Sequence, residues 1–175
     1  MRIATFATAV SVMLLGAIGL AQSTNYDFDR AADFSRYRTY AWTHGTELSD
    51  ELNHARVVRA IERELLSKGL ARVDASANPD VLVAYHASFD KNLRLDGYSS
   101  GWGGPRFGAL RSGTATIEEV VTGTLVVDVK DGASRRLVWR GMATTEIDPT
   151  ANPDKREKMI NKATQKLFKN YPPKR

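Results

Sequence analysis

The sequence predicts an α+β fold: a mostly antiparallel sheet with two main helices packed on one face, in a single domain. Three observations carry this. Residues 123–141 read as a strand, an Asp131-Gly132 turn and a returning strand. Residues 49–68 and 153–170 carry apolar residues at three- and four-residue steps, the helical period. Strand-like runs follow one another without a helix between each pair, so the alternation of a parallel α/β sheet is missing.

The chain opens on an address. Arg2 is followed by an uncharged apolar run over residues 3–19, and Gly19 and Ala21 put small residues at −3 and −1 of a cut after Ala21. That is the pattern of a secretory signal peptide. The run over residues 3–21 is about long enough to span a membrane if retained, but the polar Gln22-Ser23-Thr24-Asn25 that follows favours cleavage. The expected location is therefore periplasmic or secreted. Leu20-Ala21-Gln22-Ser23 resembles a lipobox with Ser23 where the acylated cysteine would stand. The chain has no cysteine. A thioether lipid anchor, disulfides, thiolate metal sites and cysteine nucleophiles are thereby excluded.

Cleavage leaves residues 22–175, enough for one domain with one core. The formal net charge of +5 is unevenly spread: residues 151–175 hold eight Lys and Arg against Asp154 and Glu157. The basic excess lies in the tail.

Residues 25–28 and 39–42 read as short strands, with an aromatic-anchored turn at 33–37 between them. Tyr26, Phe28, Phe34, Tyr37, Tyr40 and Trp42 are expected to close one side of the core. In the first helix, Ser49 or Asp50 caps the start and Gly69 stops the end. Its buried side is expected to hold Leu52, Ala55, Val58, Ile61, Leu65 and Leu66, with Arg56, Arg59, Glu62 and Arg63 opposite. Asn78-Pro79-Asp80 breaks the chain before residues 81–89, apolar on both faces at the start and so a central strand. Residues 97–113 hold six glycines and a proline without a period, and read as a long connection. Residues 114–121 resume strand character, followed by the hairpin, whose second strand runs over about 136–147. Asn152-Pro153 starts the last helix. Its buried arc is Met159, Ile160, Ala163, Leu167 and Phe168, and Tyr171-Pro172-Pro173 ends it.

Several of these pieces occur together in one known family. They are Asp33-Phe34-Ser35-Arg36-Tyr37-Arg38-Thr39-Tyr40-Ala41-Trp42, a helix ending Leu65-Leu66-Ser67-Lys68-Gly69-Leu70, and residues 78–86 from Asn78-Pro79-Asp80 to His86. Gly123-Thr124-Leu125-Val126-Val127-Asp128, Leu137-Val138-Trp139-Arg140-Gly141 and a basic last helix complete the set. The chain resembles the domain of unknown function 4136 family of bacterial envelope proteins. The resemblance implies an exported bacterial protein, often a lipoprotein in relatives, and brings no catalytic residues with it. Lacking the lipobox cysteine, this chain departs from those lipoproteins.

No chemical motif survives scrutiny. Gly97-Tyr98-Ser99-Ser100-Gly101 matches the nucleophile-elbow pattern, but no helix follows and His44, His54 and His86 all precede it, against the required order. Those histidines sit on a loop, a helix and a strand without ligand spacing. Asp128 and Asp131-Gly132 bracket a turn and fall short of a calcium loop. Glu118 and Glu119 point to opposite faces of a strand, and Asp27 and Asp29 share a face beside a chain end. No phosphate loop or dinucleotide fingerprint is present. The expectation is no catalytic, cofactor or metal residues, no cofactor and no enzyme.

Two features point to contacts instead. Lys155, Lys158, Lys162, Lys166 and Lys169 fall within about 80° of arc on the last helix, a stripe suited to weak contact with an anionic surface. Tyr98, Trp102 and Phe107 lie in the glycine-rich segment and suit a partner surface. Export and an acidic main body argue against nucleic acid. The expected function is a non-enzymatic envelope binding or assembly module that meets an envelope protein or polymer; the alternative is a hydrolase acting on an envelope substrate.

Overall fold

The computed structural model describes residues 22–98 and 114–174, with side chains for 22–91 and 120–174. The signal segment 1–21 and most of the glycine-rich segment, with Ser99, Ser100, Gly101, Trp102 and Phe107, lie outside the described residues. So do the side chains of Tyr98, Glu118 and Glu119.

Eight main elements follow in order: β1 (Gln22–Phe28), β2 (Thr39–Trp42), α1 (Glu51–Ser67), β3 (Ala71–Arg72), β4 (Val81–Tyr98), β5 (Thr114–Asp131), β6 (Leu137–Ile147) and α2 (Pro153–Leu167). One six-stranded sheet has the order β1-β6-β5-β4-β2-β3. β1–β6, β6–β5 and β5–β4 are antiparallel. β4–β2 and β2–β3 are parallel. The sheet is thus mixed rather than antiparallel throughout. α1 provides the crossover from β2 to β3 that parallel neighbours require, a pairing that periodicity alone cannot reveal.

Both helices lie on one face. Odd-numbered residues of the central strands point to it: Val81, Val83 and Tyr85, then Val127 and Val129, then Trp139 and Ala143, all in one buried cluster with Val57, Ile61, Leu65, Leu167 and Phe168. Burying each of the larger side chains among these contributes about 1.5–3 kcal/mol before chain entropy is counted. Trp139 stacks on Phe168 with centroids 5.4 Å apart and meets Tyr171 edge-on at 5.1 Å. Its indole N–H has no hydrogen-bond partner among the described residues.

The helix boundaries follow their caps. Asp50 accepts from the backbone of Leu52 and Asn53, and Gly69 takes φ +84°. The buried arc of α1 is rotated from the expected one: Val57, Ala60, Ile61 and Leu65 are buried, whereas Leu52 and Leu66 are 70% and 67% exposed. Glu62 is not on a solvated back either. It accepts from Trp42 Nε1 and Arg72, bracing β2 and β3. In α2, Asn152 caps Lys155 N–H and a 3-10 turn, Phe168–Asn170, continues the helix. Ala163, Leu167 and Phe168 are buried as expected, with Met159 and Ile160 partly so.

The strands run longer than their local patterns. Residues 114–131 form one strand through Gly123, and β4 pairs with it from Val81↔Asp131 to Tyr98↔Thr114. The strand thus includes Gly97 and Tyr98, which sequence had placed in the connection. β6 reaches only Ile147↔Val121, so β4 and β5 continue beyond it as a two-stranded ribbon. Its seven pairs from residue 92 onward span roughly 23 Å at ~3.3 Å per residue.

The β5–β6 turn is not a two-residue Asp-Gly hairpin. Asp131 N–H donates to Arg136 C=O, Arg135 N–H donates to Asp131 C=O, and Arg135 rather than Gly132 takes positive φ, 60°. Gly132 is required for closeness: a Cβ there would stand 1.9 Å from the Pro79 carbonyl oxygen.

The edge strand β1 carries its own protection. Asn25 Oδ1 accepts from Tyr26 N–H and Asp27 Oδ1 from Phe28 N–H, each at 2.8 Å. Side chains thus occupy two edge donors that an added strand would need.

Candidate functional site

A cleft of about 200 Å³ lies between the helix layer and the sheet, at the end where both helices begin. It follows from side-chain size along the inward positions. At one end the sheet presents Trp139, Tyr85 and Val129, all fully or nearly fully buried. Toward the other end β4 offers Ala87, β5 Gly123 and β6 Ala143, with Ala163 of α2 above. Small residues on facing positions leave a gap that the helices do not fill.

The walls are mostly apolar, with Asn53, Ser88, Thr124 and Thr145 as the uncharged polar residues of the lining. Leu125 joins the floor, Ile147 and Met159 one side, and Leu48 and Val57 the other. Phe89, 55% exposed, stands at the mouth. Gly123 permits the tight wall, because a Cβ would meet Ile147 Cδ1 at 2.3 Å.

The charged groups of the lining are already engaged. Asp148 accepts from Lys155 Nζ at 2.8 Å and from Thr150 N–H and Oγ1–H at 2.9 and 2.6 Å. The Lys155 ammonium, and then Thr150, hold its carboxyl well below the usual range. Arg156 donates from Nε to Ala151 C=O and from Nη2 to Pro149 C=O, each at 2.9 Å. Both side chains prop the turn that leads into α2.

The histidines do not converge. His44 is exposed on a loop. His86, on the uncovered sheet face, accepts at Nδ1 from Thr46 N–H at 3.0 Å. Its proton therefore sits on Nε2, which faces Asp128 Oδ2 at 3.6 Å, too far for a hydrogen bond. Asp128 is clamped by Arg140, with Nε and Nη2 each 2.6 Å from a carboxylate oxygen. His54 lies on the opposite, helix-covered side. Tyr85 Oη accepts from Leu48 N–H at 3.2 Å and shares a second hydrogen bond, 2.7 Å, with His54 Nδ1. Burial raises the Tyr85 phenol above its usual range. Both rings thus brace residues 46–48. No group of three or more metal-ligating side chains gathers among the described residues.

Four further acids hold local structure. Asp27 caps Phe28, while Asp29 accepts from Ala31 N–H and faces Arg136 at 3.6 Å. Asp80 accepts from the N–H groups of Arg38 and Thr39, both 2.9 Å. Asp131, 6% exposed, gathers Ser134 N–H, Ser134 Oγ–H, Tyr37 Oη–H and Arg36. The Ser134 backbone and hydroxyl, then Arg36 and Tyr37, hold its carboxyl far below the ordinary value. Sequence reading treated Asp80 as a chain break and Asp131 as a turn residue. Asp80 also meets Arg38, and Asp131 meets Arg36, 42 and 95 residues away, and no local pattern announces such pairs.

The lysine stripe is real as a surface. Lys155, Lys158, Lys162, Lys166 and Lys169 are all exposed, and only Lys155 has an ion-pair partner among the described residues. The cleft itself was missed in sequence, although the run of small residues at Ala87, Gly123, Ala143 and Ala163 was its signal.

Fold and site together define a class: a six-stranded sheet with two helices on one face, holding an apolar cleft whose charged lining residues serve local structure. The chain belongs to the family described as Domain of unknown function (DUF4136), whose profile matches residues 24–173. No curated protein matches it. Among solved structures it is similar to a PDZ domain protein from Parabacteroides distasonis, with TM-score 0.56 and 16% identity over 89% of this chain and 38% of that one. It therefore spans well under half of that protein. A DUF4136 family protein from Bacteroides thetaiotaomicron matches with TM-score 0.52 and 13% identity over 86% of this chain and 96% of that one. The PelC dodecamer from Paraburkholderia phytofirmans matches with TM-score 0.51 and 8% identity over 85% and 95% of the two chains. At these identities the likeness is one of fold.

Proposed function

We propose that this is an exported, non-enzymatic envelope protein that binds an envelope partner through the apolar cleft and its exposed mouth. The observation that carries the reading is the cleft's lining: mostly apolar walls, an exposed Phe89, and two charged side chains already committed to the turn at 148–151. A pocket built for hydrolysis would need a free acid or base beside room for a substrate. The His86–Asp128 pair does not supply one, because Arg140 holds both carboxylate oxygens. Export rests on the signal-like residues 1–21. The lysine stripe is an accessory contact for an anionic surface. A protein of this fold assembles as a dodecamer in PelC, so an assembly role is compatible with the architecture.

The test has two arms. Fractionation with N-terminal sequencing should find a mature chain beginning at Gln22 in the periplasmic or secreted fraction; a cytoplasmic full-length chain would refute export. Crosslinking in intact envelopes, followed by purification, should recover a partner in stoichiometric amount. Turnover of envelope polymers by the purified protein, abolished by His86→Ala, would overturn the non-enzymatic reading in favour of the hydrolase.

A further inference from the structure

We propose that the cleft takes the aliphatic chain of an anionic amphiphile, with the anion held by the lysines that flank Met159. The proposal rests on the reading of the cleft as a binding site and names what enters it.

Size, lining and charge each narrow the ligand. A volume of about 200 Å³ equals roughly seven water volumes at ~30 Å³ each. A methylene takes slightly less room than a water, so the cleft suits one chain of about eight carbons. It is too small for the larger ligands that typically fill pockets of ~300–1,000 Å³. Ile147, Met159, Leu125 and Ala143 offer no hydrogen-bonding side-chain partner, and of the polar lining residues Asn53, Thr124 and Thr145 are already hydrogen-bonded within the protein, so a polar chain would regain little of its lost hydration.

Charge comes from the same helix. Lys155 and Lys162 stand four residues before and three after Met159, which makes them its neighbours on the surface of α2. Lys158 and Lys166 extend the row, and both are exposed without an ion-pair partner among the described residues. A chain lying against Met159 would therefore bring its anionic end to at least one unpaired ammonium. A neutral amphiphile would gain the apolar contact alone.

Calorimetry on the mature protein with hexanoate, octanoate, decanoate and dodecanoate, each below its micelle concentration, tests this directly. Affinity should rise about fourfold per added methylene until the chain exceeds the cleft near eight to ten carbons, then level off. Decanoate should bind more tightly than 1-decanol in low salt, and the gap should close in high salt. Lys158→Glu/Lys162→Glu should weaken decanoate severalfold and leave decanol unchanged. Ala87→Phe, which fills the floor, should abolish both. If Ala87→Phe does not fold, methyl NMR of the unmodified protein decides: decanoate must shift Ile147 and Met159. Unmoved methyls, or affinity independent of chain length, would overturn the proposal. Failure here, with a partner still crosslinked at the cleft in cells, removes the ligand class and leaves the binding-module reading standing.

Discussion

Asp131→Asn separates charge from shape at the node that joins the β5–β6 turn to the segment before β2. The asparagine keeps an oxygen for Ser134 N–H and Oγ–H, 2.8 and 2.9 Å away in the parent. It replaces the oxygen that accepts from Arg36 Nη2 and, at 3.1 Å, from Tyr37 Oη–H by an amide nitrogen that cannot accept. The Arg36 side chain is 61% exposed, so its pair counts for at most ~1 kcal/mol. The buried Tyr37 bond to a charged acceptor is worth about 1.5–3 kcal/mol. The sum is about 3 kcal/mol at pH 7, or about 8 °C in Tm for a domain of this size. The pH dependence has a definite sign. The folded carboxyl titrates below its unfolded value, so its contribution is complete above the unfolded pKa of ~3.9 and is lost as pH falls toward the folded one. Thermal melts of parent and variant from pH 7 down to pH 2.5 should show the full gap at neutral pH and a narrowing gap below about pH 4. Equal Tm values at pH 7, or a gap that stays constant into acid, would refute the reasoning.

Other consequences follow from the same geometry. Trp139→Ala should cost about 3–5 kcal/mol in urea unfolding, since its ring packs on both Phe168 and Tyr171. Gly132→Ala should cost about 1–3 kcal/mol, because the new Cβ meets backbone at Pro79; an unchanged urea midpoint would contradict the close approach. Asn25→Ala/Asp27→Ala frees two donors on the β1 edge, and light scattering should show faster aggregation at unchanged Tm. Lys158→Glu/Lys162→Glu/Lys166→Glu should abolish low-salt pelleting with anionic vesicles; equal pelleting of parent and variant would end the accessory-contact role.

The elements whose signals are local were legible in the sequence. Asn152-Pro153 marks the start of α2, apolar residues on both faces mark 81–89 as a central strand, which β4 is, and 39–42 is a strand to the residue. What depends on partners was not. β3 has two residues, too few for a period, and exists because α1 returns the chain beside β2. The arc of α1 was misplaced because Leu52 and Leu66 are apolar yet lie beyond the sheet's reach. Gly123 reads as the start of the hairpin, whereas it is a small residue inside a continuous strand, required because the side chain of Ile147, two residues past its partner Thr145 on β6, occupies the space a Cβ would take. The spacing of the histidines says nothing of the bracing of residues 46–48 by His54 and His86, which emerges only when Tyr85 and Thr46 meet them. The cleft is an absence of bulk shared by four segments, and no single segment advertises it.

The proposed function requires that the cleft be occupied in the cell. A photoreactive residue in place of Phe89 in living cells, with the same probe at exposed Ser67 as control, tests it most directly. A discrete adduct is expected from position 89, lost in the Ala87→Phe background and absent from position 67. Equal labelling at both positions, or an adduct indifferent to the filled cleft, would contradict it.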